Sequence, residues 1–145
     1  VTYDETAAMR RTLEQADLFP VFVSSARDDT DPSKVRMLTA PPYVVLHPLN
    51  GADDQDRLTG PGARREPSWV LHCVGESSGA AEVVAERVDE VYRPRLRGIR
   101  VAIEGRRTKP IRRTDVAPVQ EDDAVRPSIW FVPVTYSFES TPAPL

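Results

Sequence analysis

Two runs of strand-forming residues, Pro42-Tyr43-Val44-Val45-Leu46-His47 and Ser68-Trp69-Val70-Leu71-His72-Cys73-Val74, stand on either side of a long polar connection, and a helical pattern follows the second. β-branched and aromatic residues crowd both runs, a composition suited to a pleated and partly buried surface. A hairpin loop is normally about 2 to 5 residues. This connection extends from Leu49 to Pro67 and carries Gly51, Gly60, Pro61 and Gly62 among charges. It is too long and too polar to be only a turn, so it is expected to meet something outside the fold.

At 145 residues the chain fits one domain, able to bury about two thirds of the surface its unfolded form would expose. It is 40% hydrophobic and 28% charged, and no apolar run approaches the roughly 20 residues of a membrane span, so no membrane association is expected. A net charge of −3 argues against affinity built on neutralising phosphates. The start, Val1-Thr2-Tyr3-Asp4-Glu5, lacks the pattern of a secretory signal, and cytoplasmic synthesis is the expectation. Cys73 is the only cysteine, which excludes an internal disulfide, and its apolar strand favours a reduced, packed thiol.

Thr2-Tyr3-Asp4-Glu5 has the pattern of a capping box, and Met9, Leu13 and Ala16 then recur at helical spacing through Asp17. Leu18-Phe19-Pro20 ends that helix, Val21-Phe22-Val23 reads as a short strand, and Ser24 to Pro41 reads as loop. Ser77-Ser78-Gly79 offers a second helix start, with Ala80, Val84, Val88 and Val91 forming a stripe to about Arg93. The alternation in Ile99-Arg100-Val101-Ala102-Ile103-Glu104 predicts a half-buried strand. Gly105 to Pro127 reads as a charged loop, basic first and acidic after, able to pair with itself. The run Ser128 to Phe138 predicts a last strand with Trp130, Val132, Val134, Tyr136 and Phe138 on one face, at an edge or bulged at Pro133, whose nitrogen cannot donate. The expected fold is α+β: an antiparallel or mixed sheet of about four strands, two helices on one face, and long inter-strand loops. Residues 1–140 form the expected domain and 141–145 a flexible tail.

His47 and His72 sit in neighbouring predicted strands, and with Cys73 they are the softest ligands in the chain. Residues 72 and 73 point to opposite faces of a strand, which argues against a four-ligand zinc site. Asp53, Asp54 and Asp56, like Asp28, Asp29 and Asp31, depart from the calcium-loop pattern and read as solvated charge. The serines lack a nucleophile elbow, and Gly60-Pro61-Gly62 lacks the lysine and helix of a phosphate loop. Arg106, Arg107, Lys109, Arg112 and Arg113 have no interleaved aromatic to stack a base, so acidic protein surface is the better match. Ile129 and Phe131 lie opposite the Trp130 series, and a strand apolar on both faces is usually covered twice. A second subunit would provide that cover, making Ile129 and Phe131 candidate interface residues.

The segments Pro41 to Leu49, Asp56-Arg57-Leu58-Thr59-Gly60-Pro61-Gly62, Trp69 to Gly75, Ala80-Ala81-Glu82, Ser128-Ile129-Trp130-Phe131 and Tyr136 together resemble tail terminator proteins of long-tailed phages infecting actinobacteria. The resemblance covers roughly residues 1 to 140 and departs most in Arg106 to Asp123. It implies a structural protein without enzymatic activity or cofactor. Such a subunit forms a hexameric ring on the head-proximal end of the tail tube, stops tube polymerisation and presents a surface to head-completion proteins. The implied partners are further copies of the chain, the tail tube protein and a head-completion protein, with DNA passing through the lumen without tight binding. The implied location is the virion tail, after synthesis in the host cytoplasm. Arg57, Arg64 and Arg65 of the hairpin loop, with Arg106 and Arg107, are the candidate contact residues. The alternatives are a head-to-tail connector or completion subunit and, in another class, a small metal-assisted hydrolase using His47, His72 and loop aspartates.

Overall fold

The computed structural model describes residues 3–23, 41–49, 64–124 and 127–143. Helix α1 (Tyr3–Ala16) buries Glu5, Ala8, Met9 and Leu13, residues four or so apart, and stops where Asp17 turns left-handed (φ 52) and its amide bonds to the Glu14 carbonyl. Helix α2 (Ser78–Tyr92) starts at Ser77, whose hydroxyl accepts from the Ala80 amide at 3.1 Å. It buries Ala81, Val84, Val88 and Tyr92, a stripe shifted from the expected Ala80 and Val91. Thr2 of the expected capping box lies outside the described residues. The Glu5 carboxylate is fully buried and meets Arg65 and Arg106.

The sheet is mixed and larger than expected. Strands β1 (Val21–Val23), β2 (Tyr43–Leu49), β3 (Ser68–Gly75), β5 (Arg112–Val116), β6 (Gln120–Asp122) and β7 (Ile129–Ser137) form one six-stranded sheet in the order β1-β2-β3-β7-β5, with β6 also on β7. Only β1 and β2 run parallel; the hairpin read from the sequence is real, with Tyr43 opposite Val74 and Leu49 opposite Ser68. Strands β4 (Arg106–Thr108) and β8 (Ser140–Pro142) form a separate pair. Both helices contribute to one continuous core on one face of the large sheet, beneath which lie Val44, Leu46, Trp69, Leu71, Cys73, Val132, Val134 and Tyr136.

Four expectations are corrected. Residues 106–122 are not a charged loop but supply β4, β5 and β6; β5 is exposed at every position, so apolar patterning could not reveal it. Ile99 to Glu104 is not a strand, although its alternation does place Val101 in the core with Ile99 and Ile103 packed beside it. Its backbone groups are met elsewhere: the Ile99 amide by the Tyr92 carbonyl, the Val101 carbonyl by the Thr108 hydroxyl at 2.6 Å. Gly98 permits this path, since a Cβ there would collide with the Ile111 backbone. Thr141 and Pro142, expected in a flexible tail, belong to β8. Finally, β7 is central, flanked by β3 on one side and by β5 and β6 on the other. Pro133 is tolerated there because its carbonyl accepts from Ala117, beyond the end of β5, so its donorless nitrogen faces the interval between β5 and β6.

Candidate functional site

Alternation along β2, β3 and β7 gives each strand two surfaces. Away from the helices, Tyr43, Val45, Val74 and Ile129 form a second apolar cluster that, among the described residues, is made of sheet positions, with Phe22 and Phe131 half-buried beside it. Phe22 meets Tyr43 edge-on at 5.8 Å. Phe131 stacks on His72 at 4.8 Å, and His72 lies 4.5 Å from His47. The register explains the row of rings: Val45 faces His72, His47 faces Val70 and Val74 faces Phe131, so the three rings are diagonal neighbours on one face.

Burial lowers the His47 pKa, while burial and the adjacent His47 together bring His72 down to about 4. At pH 7 both imidazoles are therefore neutral, and the strip is an uncharged aromatic surface. Among the described residues no group of three or more His, Cys, Asp or Glu converges as a metal site would require. The loop aspartates of the hydrolase alternative, Asp28, Asp29, Asp31, Asp53, Asp54 and Asp56, lie outside the described residues. Cys73 points to the opposite, helix-covered face, where burial pushes its thiol up to about 12.

The sequence-predicted contact residues do not form one surface. Arg57 lies outside the described residues. Arg64 pairs with Glu139 at 3.2 Å, and Lys109 reaches the same carboxylate at 3.1 Å. The hydrogen bond from Lys109, opposed by burial and assisted by the charges of Arg64, Lys109 and Arg112, holds that carboxyl below its usual range. Arg65 and Arg106 turn inward: Arg65 donates to Glu5 Oε1 at 3.1 Å, and Arg106 Nε lies 3.5 Å from the same oxygen while donating to Ser140 Oγ at 2.6 Å. Arg107 is exposed on β4. Of the two apolar candidates, Ile129 is buried in the chain's own second cluster and Phe131 is half-buried.

Two buried acids were missed at the sequence level. Glu5 joins α1 to residue 65 and to the β4–β8 pair, where Ser140 Oγ also approaches its Oε1 at 3.4 Å. Asp89 accepts from Arg93 through both oxygens, at 2.9 and 3.2 Å, and from the Tyr136 hydroxyl at 2.9 Å, with Arg113 at 3.5 Å. Burial alone would raise the Asp89 pKa, but the hydrogen bonds from Arg93 and Tyr136 and the charges of Arg113 and Arg93 outweigh it and hold it low. A signal for both was present, since each acid sits on a buried helical stripe: Glu5 four before Met9, Asp89 one after Val88. Among the described residues the basic segment shows no ion pair with its own acidic half; ion pairs run from Arg106 to Glu5, Lys109 to Glu139, Arg112 to Glu66 and Arg113 to Asp89.

No protein-family model and no curated protein matches this chain. Among the solved structures that match, one bearing no descriptive name covers 100% of this chain and 99% of its own at 16% identity with a TM-score of 0.59. That likeness concerns the fold, which recurs over the full length of both chains.

Proposed function

We propose that the chain is a structural subunit of a phage tail, a tail terminator that forms a six-membered ring on the head-proximal end of the tail tube. The observation that carries the reading is the two-sided sheet. Helices cover one apolar face, while the other holds a second apolar cluster and the half-buried row of Phe131, His72 and His47. An uncharged aromatic surface of this kind suits contact with another protein. Of the segments that carry the sequence resemblance, those among the described residues lie in β2, β3, the start of α2 and β7; Asp56 to Gly62 lies outside the described residues. In this reading the chain performs no chemistry and needs no cofactor. Its partners are further copies of itself, the tail tube protein and a head-completion protein, and DNA passes through the lumen without tight binding.

Electron microscopy of the purified chain, with and without tail-tube subunits, tests the proposal. Rings that sit on tube ends and limit tube length are expected. A particle that stays single and never binds the tube end would overturn it, and binding to head-completion protein without the tube would reassign it to the connector class. Tight binding of duplex DNA at physiological salt would remove the passive-lumen element alone.

A further inference from the structure

Immediately after α2 the chain makes a short 3-10 turn, Pro94–Leu96, in which Arg95 (φ 55) and Leu96 (φ 64) are both left-handed. Two successive non-glycine residues in that region are strained, leucine especially, and such an outlier invites a functional explanation. The turn leaves Leu96 76% exposed, the most exposed large apolar side chain among the described residues, between the exposed guanidinium side chains of Arg95 and Arg97. Neither arginine makes an ion pair among the described residues. The result is a small apolar knob with a cation on each side.

A groove of matching character lies elsewhere on the same molecule. Helix α2 packs over β3 and β7, and the space between it and β5 forms a cleft of about 420 Å³. Its floor and walls are apolar: Ala85, Val132, Val134 and Val116, the last 48% exposed. Its α2 lip carries Glu82, Glu86 and Glu90, four residues apart and so aligned along one side of the helix. None of the three has an ion-pair partner among the described residues; the remaining charges in the cleft, Asp89 and Arg113, already face each other.

We infer that the Arg95-Leu96-Arg97 knob of one copy docks in the α2–β5 groove of the next, Leu96 on the valine floor and the two arginines against the glutamate lip. This rests on the ring reading and supplies its contact. Knob and groove are different surfaces, so the interface is head-to-tail and propagates around a closed ring without pairing a patch with itself. The charges set register and exclude a reversed approach, while the leucine supplies the desolvated centre.

Sedimentation velocity of the full chain over a concentration series, alone and with tail-tube subunits, tests the inference. Leu96→Asp and the double variant Glu86→Arg/Glu90→Arg should each dissociate the ring, weakening association roughly 30-fold or more, as loss of an interface anchor does. An equimolar mixture of the two should stop at dimers, because only one intact knob meets one intact groove. Adding Arg95→Glu/Arg97→Glu to the groove variant should restore assembly. Leu96→Gly relieves the left-handed strain and should raise the melting temperature while weakening assembly, a combination that a merely structural role for Leu96 would not produce. The groove positions are exposed on a helix surface, so that variant decides the matter if Leu96→Asp fails to fold. Rings that survive in both the knob and groove variants would overturn the inference and leave the ring reading standing. A wild-type chain that stays monomeric alone and with the tube would overturn both.

Discussion

The two faces of the large sheet use the same strands for different ends. On the helix side four aromatics are fully buried and tied down, with Phe19 and Trp130 half-buried at the margin: Trp69 stacks with Phe138 at 5.2 Å and donates to Thr6 Oγ1 at 2.9 Å, while Tyr92 donates to the Met9 carbonyl at 2.9 Å and packs on Tyr136 at 5.0 Å. On the far side Tyr43 is buried with Phe22 edge-on to it, while His47, His72 and Phe131 are only half-buried and lean on one another. The difference teaches that the helix face carries the deepest packing of the chain, whereas the far face keeps a row of partly accessible rings beside a small buried cluster. Both faces come from one period-2 pattern, and the covering of one by helices separates their roles.

The largest effect should come from the helix face. Trp69→Ala removes a fully buried indole and its hydrogen bond, and should lower unfolding free energy by about 3–5 kcal/mol in a denaturant titration. A loss below about 1 kcal/mol would erase the contrast between the faces. Next in size, Glu5→Ala strips the fully buried carboxylate from between Arg65 and Arg106, and should cost about 3 kcal/mol in the same assay. If Arg65→Met/Arg106→Met added to that variant recovers stability, the penalty lies in stranded charge and not in lost packing.

On the far face, Phe131→Ser should cost the isolated subunit only about 1 kcal/mol, since that ring is half-exposed. Its effect on assembly or tube docking should be the greater of the two, and light scattering beside a denaturant curve separates them. A stability loss equal to that of Trp69→Ala would mean that the far face is ordinary core.

The smallest effect is on pH. Both histidines have folded-state pKa values below their usual 6.5, His72 at about 4, so the unfolded chain binds protons first. Their contribution is complete above pH 6.5 and declines as pH falls toward 4. A His47→Gln/His72→Gln variant should therefore lose less stability between pH 7 and pH 5 than the wild type, read as melting temperature. Asp89 adds the same sign lower down, since its depressed pKa stabilises the fold above its unfolded value and that contribution fades in acid. A wild-type chain that gains stability on acidification would contradict both assignments.

The helices, the β2–β3 hairpin and the two-sided β7 were legible because each buries one side and so prints a period on the sequence: Met9 and Leu13, Val84 and Val88, Trp69 with Leu71 and Cys73. Strands β4, β5 and β6 left no such print. Arg112 to Val116 pairs with β7 through its backbone while no position of the strand is buried, and backbone hydrogen bonding does not depend on side-chain polarity. The reverse error at Ile99 to Glu104 has the same root, since alternation reports a covered face and does not report a neighbouring strand.

By itself, then, the sequence determined which residues seek cover: the apolar stripes, the alternating strands and the capped start of α2. Solvent avoidance is a property that each side chain carries wherever it goes. Tertiary structure alone decided which partners the buried acids meet, placing Glu5 between Arg65 and Arg106 and Asp89 among Arg93, Arg113 and Tyr136. A buried charge is tolerable only beside its partners, and partners 60 or 47 residues away in the chain meet only once it has folded.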